Sequence, residues 1–263
     1  MSSIYKDEVK KYGKKDAIIA LCFFIFWFMG GVANGLLRVA GVNPLIPGIS
    51  FSFIMVAVCF VIVLVKKQGL SSIGFRKKNL WSALRLGLLF SIIPLVLNDG
   101  ILPGIIHGYE PRPIGMILYM TIGTFIFAAS EDIAFVGYIQ TRLYGLIKND
   151  ILAVCLGAFL FSIMHISVPL AVDGFAVFNA DIFIWLSFCF VLHFVMNAIF
   201  RRYFVIFSAM IWHTLNNVAG SRTIWATGEH TLLWPIISTT AIILAVVIWT
   251  YMRRRSATKE VVE

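Results

Sequence analysis

Residues 114–139 read IGMILYMTIGTFIFAASEDIAFVGYI. The first 17 residues, 114–130, carry no charge; two acids follow, Glu131 and Asp132, and then 133–139 is again uncharged. An apolar run of this length is what a helix needs to cross a hydrocarbon layer of about 30 Å. An isolated strand is excluded there, because its backbone groups would find no partners in lipid. The stretch therefore reads as a membrane-spanning helix with two carboxylates buried in it, and 131–147 reads either as its extension or as a short separate helix.

The same reading extends along the chain. Further apolar runs fall near 17–37, 49–65, 82–98, 151–168, 182–200, 203–219 and 231–252. Of 263 residues, 60% are apolar and 13% charged, about half the charge of a soluble domain, so lipid must solvate much of the surface. The fold class is all-α, a polytopic transmembrane helical bundle of about eight spans. The expected division is a cytoplasmic segment 1–16, one transmembrane domain 17–252 and a cytoplasmic tail 253–263. The stretch 40–49, with Pro44 and Pro47, reads as a turn, and 99–113, with Asp99, Pro103, His107, Glu110, Pro111 and Pro113, as an outer loop. The first run is long enough to be a retained helix rather than a cleaved signal. No internal repeat or soluble domain is evident.

The net charge of +9 would suggest nucleic acid in a soluble protein. Here Lys and Arg form short clusters between apolar runs, so they act as topology signals and no nucleic-acid partner is implied. The cytoplasmic side would hold Lys6, Lys10, Lys11, Lys14, Lys15, Lys66, Lys67, Arg76, Lys77, Lys78, Arg142, Lys148, Arg201, Arg202, Arg253, Arg254, Arg255 and Lys259. The opposite side keeps Arg38, Arg112 and Arg222. An even number of spans with both termini in the cytoplasm follows. Cys22, Cys59, Cys155 and Cys189 all lie within apolar runs and read as core or lipid-facing residues.

Ionisable groups within spans are costly and mark functional sites by default. They are Glu131 with Asp132, His165, His193 and His213, with Asn197 and Asn217 beside the last two. Glu131 lies 11 residues from Arg142, His165 lies 15 from Asp150 and His213 lies 11 from Arg202. At 1.5 Å per residue these depths are roughly 16, 22 and 16 Å, and His193 is shallower at roughly 12 Å. Three helices can thus present Glu131, His165 and His213 to one site, with His193 at its edge. His213 and Asn217 share a helical face, as do Phe161 and His165. Because His193 and Asn197 repeat the His-x-x-x-Asn spacing, the spacing alone proves little. His193 reads as a residue hydrogen-bonding one helix to another, and Phe161 as a packing residue.

At these positions the chain resembles the CPBP family, the CAAX proteases and bacteriocin-processing enzymes also called the Abi family. The family motif Glu-Glu-x-x-x-Arg corresponds to Glu131-Asp132-Ile133-Ala134-Phe135-Val136, Phe-x-x-x-His to Phe161–His165, and His-x-x-x-Asn to His213–Asn217. The cytoplasmic stretch 73–77 also resembles bacterial members. The resemblance spans roughly 70–220, with a protease-like core at about 114–220. It departs at two positions: the second Glu is Asp132 and the Arg is Val136. The resemblance implies an intramembrane peptidase in which Glu131 and His165 activate water while His213 and Asn217 stabilise the oxyanion, with Asp132, Phe161 and His193 in support. With Val136 at the arginine position, Glu131 is expected to be held by His165, His213 or water rather than by an arginine.

A divalent metal such as zinc would find its ligands in Glu131, His165 and His213, with water as the fourth. No His-Glu-x-x-His pair supports such a site, and the metal-independent reading is preferred. The partners implied are a membrane-associated peptide or protein substrate and the lipid bilayer, and the short loops suggest a bacterial cell membrane. The alternative is a non-catalytic relative that binds a partner or confers bacteriocin self-immunity. A proton-relay transporter is the third class, disfavoured because no half of the chain repeats the other.

Overall fold

The computed structural model describes residues 2–98, 100–220, 223–226 and 233–259, with side chains as far as 252. Asp99 and Arg222 lie outside the described residues, as do the side chains of Arg253, Arg254, Arg255 and Lys259. The helices are α1 (Ser3–Val9), α2 (Lys14–Val39), α3 (Leu45–Val65), α4 (Leu80–Leu97), α5 (Ile101–His107) and α6 (Ile114–Asp132). A π-helical segment, Ile133–Ile139, joins α6 to α7 (Gln140–Leu143). Then come α8 (Asp150–Met164), α9 (Ser167–Asp173), α10 (Ala180–Tyr203), α11 (Ile206–Gly220) and α12 (Leu233–Lys259).

Seven helical stretches among the described residues are long and apolar enough to cross a membrane: Lys14–Val39, Leu45–Val65, Leu80–His107, Ile114–Leu143, Asp150–Val177, Ala180–Tyr203 and Leu233–Met252. Large apolar side chains such as Phe26, Phe53, Leu89, Tyr119, Phe183 and Val247 point outward, as a lipid-facing surface requires. The protein is a multi-pass membrane protein. The run at 203–219 forms α11, whose 15 residues span about 22 Å, less than the hydrocarbon layer. It is short because it begins below the surface: Phe204, Val205 and Ile206 are fully buried. The first helical N–H, of Ile206, is satisfied by the Gly74 carbonyl at 2.9 Å, so this buried donor is not left orphaned at the recessed end.

Two loops are shorter than the sequence suggests. Helix α3 starts at Leu45, so the turn read at 40–49 ends at Pro44; Pro47 falls in the first helical turn, where its missing N–H costs nothing. The outer loop 99–113 contains α5, because Gly104 lets that helix lie directly on the Trp225 indole.

Both ends of the bundle are tied. At one end Lys66 pairs with Asp16 at 3.3 Å and Arg76 with Glu8 at 3.3 Å. Asp150 pairs with Arg201, and the Tyr5 ring stands edge-on to Tyr144, Phe200 and Phe204. The described basic residues on the longer side of the sequence tally, from Lys6 to Arg202, gather at this end. At the other end Pro111 bridges to Trp225, Trp225 Nε1 donates to the Gly100 carbonyl at 2.8 Å, and Asn98 meets Asn216.

Small residues set the closest helix approaches. A Cβ on Gly87 would lie 2.6 Å from the Ser208 carbonyl oxygen, where α4 crosses α11. Gly31 and Gly35 give α2 the same intimacy with Ser167 and Ala171 on α9, a small-x-x-x-small contact of the kind that membrane helices use. Gly87→Ala must therefore push a backbone aside and should lower stability by about 1–3 kcal/mol. Gly115→Ala, which meets nothing within 4 Å, should lower it far less, and thermal unfolding in detergent compares the two.

Candidate active site

The centre of the bundle is the stretch that follows Glu131. Every residue from 132 to 144 is buried, while the first part of α6 faces outward through Ile114, Leu118, Tyr119 and Ile122. The π-helical turn widens the backbone here, and side chains absorb its carbonyls. Thr141 Oγ1 donates to Gly137 O at 2.7 Å and Tyr138 O at 2.9 Å. Arg142 is fully buried but does not reach the acids. Its Nη1 donates to Ser72 O at 3.1 Å and its Nη2 to Gln68 Oε1 at 2.6 Å. Its guanidinium lies over the rings of Tyr12 and Tyr138 at 4.3 and 4.6 Å. Arg142 thus anchors the basic end of this helix and leaves the acids to other partners.

Those partners come from α11. His213 Nδ1 lies 3.0 Å from Asp132 Oδ1, both groups being buried. A carboxylate oxygen accepts, so Nδ1 carries the proton. The opposite nitrogen, Nε2, faces Glu131 Oε2 at 3.9 Å, beyond direct hydrogen bonding but close enough for one oxygen atom to reach both. Asp132 Oδ2 has no hydrogen-bond partner among the described residues. Val136, at the motif's arginine position, is wholly buried in the apolar core.

Helix α8 supplies the third group through residues four apart. Ala153, Gly157, Phe161 and His165 form one face. Asn149 starts the helix by accepting from Leu152 N at 3.0 Å, and His165 caps its end. His165 Nδ1 donates to the Phe161 carbonyl at 2.8 Å; since a carbonyl only accepts, a neutral His165 has its lone pair on Nε2. The Phe161 ring sits 4.9 Å from the His165 ring, 5.1 Å from His193 and 6.1 Å from His213.

Glu131, His165, His213 and Asn217 all line one cavity of about 810 Å³. Its apolar walls include Trp185, Phe188, Leu192, Trp212 and Ile242, and its far end carries Asn98 and Asn216. Glu131 keeps 22% side-chain exposure, as a group facing such a space should. Asn216 donates toward Asn217 at 3.5 Å. Asp132, Phe161, His193 and Asn197 stay outside the cavity lining. Phe161 is the packed centre between imidazoles, and His193 lies behind it, hydrogen-bonded to Gln140 at 3.2 Å. Asn197 turns back to the His193 carbonyl at 2.9 Å. Gln140 escaped the sequence reading; the signal was a polar side chain in an otherwise apolar stretch, one turn from the motif.

Among the described residues no three of His, Cys, Asp and Glu come close enough together to hold a metal ion. Glu131, His165 and His213 share the cavity but do not form a ligand set.

Removing the acceptor for a buried N–H leaves that donor unpaired. Asp132→Leu should therefore destabilise the protein by about 1–3 kcal/mol. It should also free the His213 ring, seen as loss of its Nδ1–H signal in nitrogen-15 spectra. A His213 signal unchanged in Asp132→Leu would show that the 3.0 Å contact does not hold the ring.

No curated protein matches the chain. Residues 111–219 match the family model described as type II CAAX prenyl endopeptidase Rce1-like, so the segment from α6 to α11, which supplies Glu131, His165, His213 and Asn217 to the cavity, is similar to the CAAX-type intramembrane proteases of the CPBP family.

Proposed function

We propose that the protein is an intramembrane endopeptidase that cleaves a membrane-associated peptide or protein by water attack. The convergence of Glu131, His165, His213 and Asn217 on a single cavity with apolar walls carries this reading. Glu131, whose carboxylate faces the cavity, takes the proton of the attacking water as general base. His165 accepts through Nε2, the nitrogen that its bond to Phe161 O leaves free of hydrogen. Water held between them is aimed at the substrate carbonyl.

The tetrahedral oxyanion falls to His213 and Asn217. His213 spends Nδ1–H on Asp132, so it can donate from Nε2 only as the imidazolium. The Asp132 carboxylate is therefore part of the oxyanion device, as the counter-charge behind that ring. Donors fixed in advance and aimed at developing charge contribute about 3–4 kcal/mol each. The walls formed by Trp185, Phe188, Leu192 and Ile242 suit an apolar substrate segment and keep bulk water from the site.

Glu131→Gln should lower cleavage by roughly 10²–10⁴-fold, the usual worth of a general base, with folding unchanged. The measurement compares membrane peptides from cells carrying wild type, Glu131→Gln and Val136→Arg. Val136→Arg should keep activity or raise it by offering Asp132 Oδ2 a cation. Cleavage that survives Glu131→Gln removes Glu131 from the mechanism. Absence of cleavage by all three favours a non-catalytic partner-binding role, for which the unpaired Asp132 Oδ2 is the supporting observation.

The basic end of the bundle, which holds Lys66, Lys67, Arg76 and Arg201, is assigned to the cytoplasm by the positive-inside rule. With the shorter α11 counted as an eighth crossing beside the seven long helices, both termini lie there, in a bacterial cell membrane. Reporter fusions after Lys67 and after Arg255 should both report cytoplasm; a periplasmic signal at either reverses the assignment.

A further inference from the structure

We propose that His193 is a positioning residue of this site: stacked on Phe161 and anchored through Gln140, it fixes the ring against which His165 and His213 rest.

The observations form a chain from the helix surfaces inward. Gln140 Nε2 donates to the Ala153 carbonyl at 3.1 Å. That bond orients the amide so that its Oε1 faces His193 Nε2 at 3.2 Å. An amide oxygen only accepts, so His193 carries its proton on Nε2. Its Nδ1 is buried without a hydrogen-bond partner among the described residues. The approach requires Gly157, because a Cβ there would overlap Gln140 Oε1 and lie 3.1 Å from His193 Nε2. The imidazole is thereby held with its plane 26° from that of Phe161, at 5.1 Å between centroids. Phe161 touches His165 and His213 with its ring and holds His165 Nδ1 with its carbonyl.

Packing alone does not call for this arrangement. A leucine or phenylalanine at 193 would fill the space and would bury no lone pair. What the histidine adds is a flat ring whose angle is set by a hydrogen bond in its own plane. Through Phe161 that angle reaches the imidazole nitrogens that face the cavity. A reacting group displaced by a fraction of an ångström loses rate while substrate binding in the cavity is largely untouched.

The activity part of the test rests on the peptidase reading; the spectroscopic part does not. The full-length protein, labelled with nitrogen-15 histidine in detergent micelles, is compared as wild type, His193→Leu, Gln140→Met and the double variant His193→Phe/Gln140→Leu. His193→Leu should shift the His165 and His213 imidazole signals and lower kcat by about tenfold or more with KM changed less than about twofold. Gln140→Met, which loosens His193 without emptying its volume, should shift the same signals, and it decides the matter if His193→Leu does not fold. The double variant supplies a flat ring without the hydrogen bond that sets its angle, and should leave both signals shifted and kcat lowered; a double variant with wild-type signals and kcat overturns the proposal, since ring volume alone would then suffice. A folded His193→Leu protein with a lowered unfolding temperature but unmoved His165 and His213 signals overturns the proposal and leaves His193 a packing residue. Failure of the wild type to cleave any peptide overturns the peptidase reading alone, since the spectra still decide the role of His193.

Discussion

A polar group within hydrocarbon must find its partner inside the protein, and that constraint organises the segment from Asp132 to Tyr144. Each unmet backbone group there costs several kcal/mol. The helix that carries Glu131 could not enter the bundle unless its neighbours met its polar atoms. The partners follow in order along the axis: His213 for Asp132, Ala153 and His193 for Gln140, the helix's own Thr141 for the opened π-helical carbonyls, and Ser72 and Gln68 for Arg142. α2, α3, α8, α10 and α11 all touch the π-helical segment, so its register sets theirs. π-Helical turns occur often at functional sites. Here the turn changes which residues face inward between the acids and the Arg142 anchor.

The recessed start of α11 belongs to the same logic. Had α11 begun at the basic surface, His213 would lie higher than Glu131. Beginning at Ile206, on the Gly74 carbonyl, it brings His213 level with the acids after two turns. Gly87 then allows α4 to press on α11 from behind, so that this short, recessed helix is closely backed. Rigid placement of this kind is what a site depends on when its groups must meet to within fractions of an ångström.

Much of this was readable in advance, for identifiable reasons. Hydrophobic length placed the helices, because the bilayer imposes a single length scale on all of them. The spacing of four in Phe161–His165 and His213–Asn217 placed those side chains on shared faces, and their depth placed them at one level. The sequence was silent where structure depends on pairs distant along the chain. Gln140 gains meaning only opposite Gly157 and His193, and Arg142 only once Tyr12, Gln68 and Ser72 surround it. Gly31 and Gly35 did carry a readable spacing of four, but which helix they would meet was set by Ser167 and Ala171. The prolines at 44 and 47 suggested a longer turn, because proline marks both loops and first helical turns.

The exchange of the motif's arginine for Val136 bears on the placement of charge. A cation beside two acids would offset both. Without it, the described partner of Asp132 is His213, and that pairing uses one acid to orient the ring that the other acid faces at 3.9 Å. Glu131 then stands as the acid directed at the cavity, and Asp132 as the acid directed at α11. The shorter side chain at 132 fits this division, since an aspartate reaches across to a neighbouring helix without extending into the space that Glu131 uses. Arg142 cannot substitute for the lost arginine, because its guanidinium is already shared among Ser72, Thr141, Gln68 and two tyrosine rings. The consequence is a site whose charge balance is settled between carboxylates and one imidazole, so that the proton on His213 Nε2 decides whether the centre presents a donor or an acceptor to whatever enters the cavity.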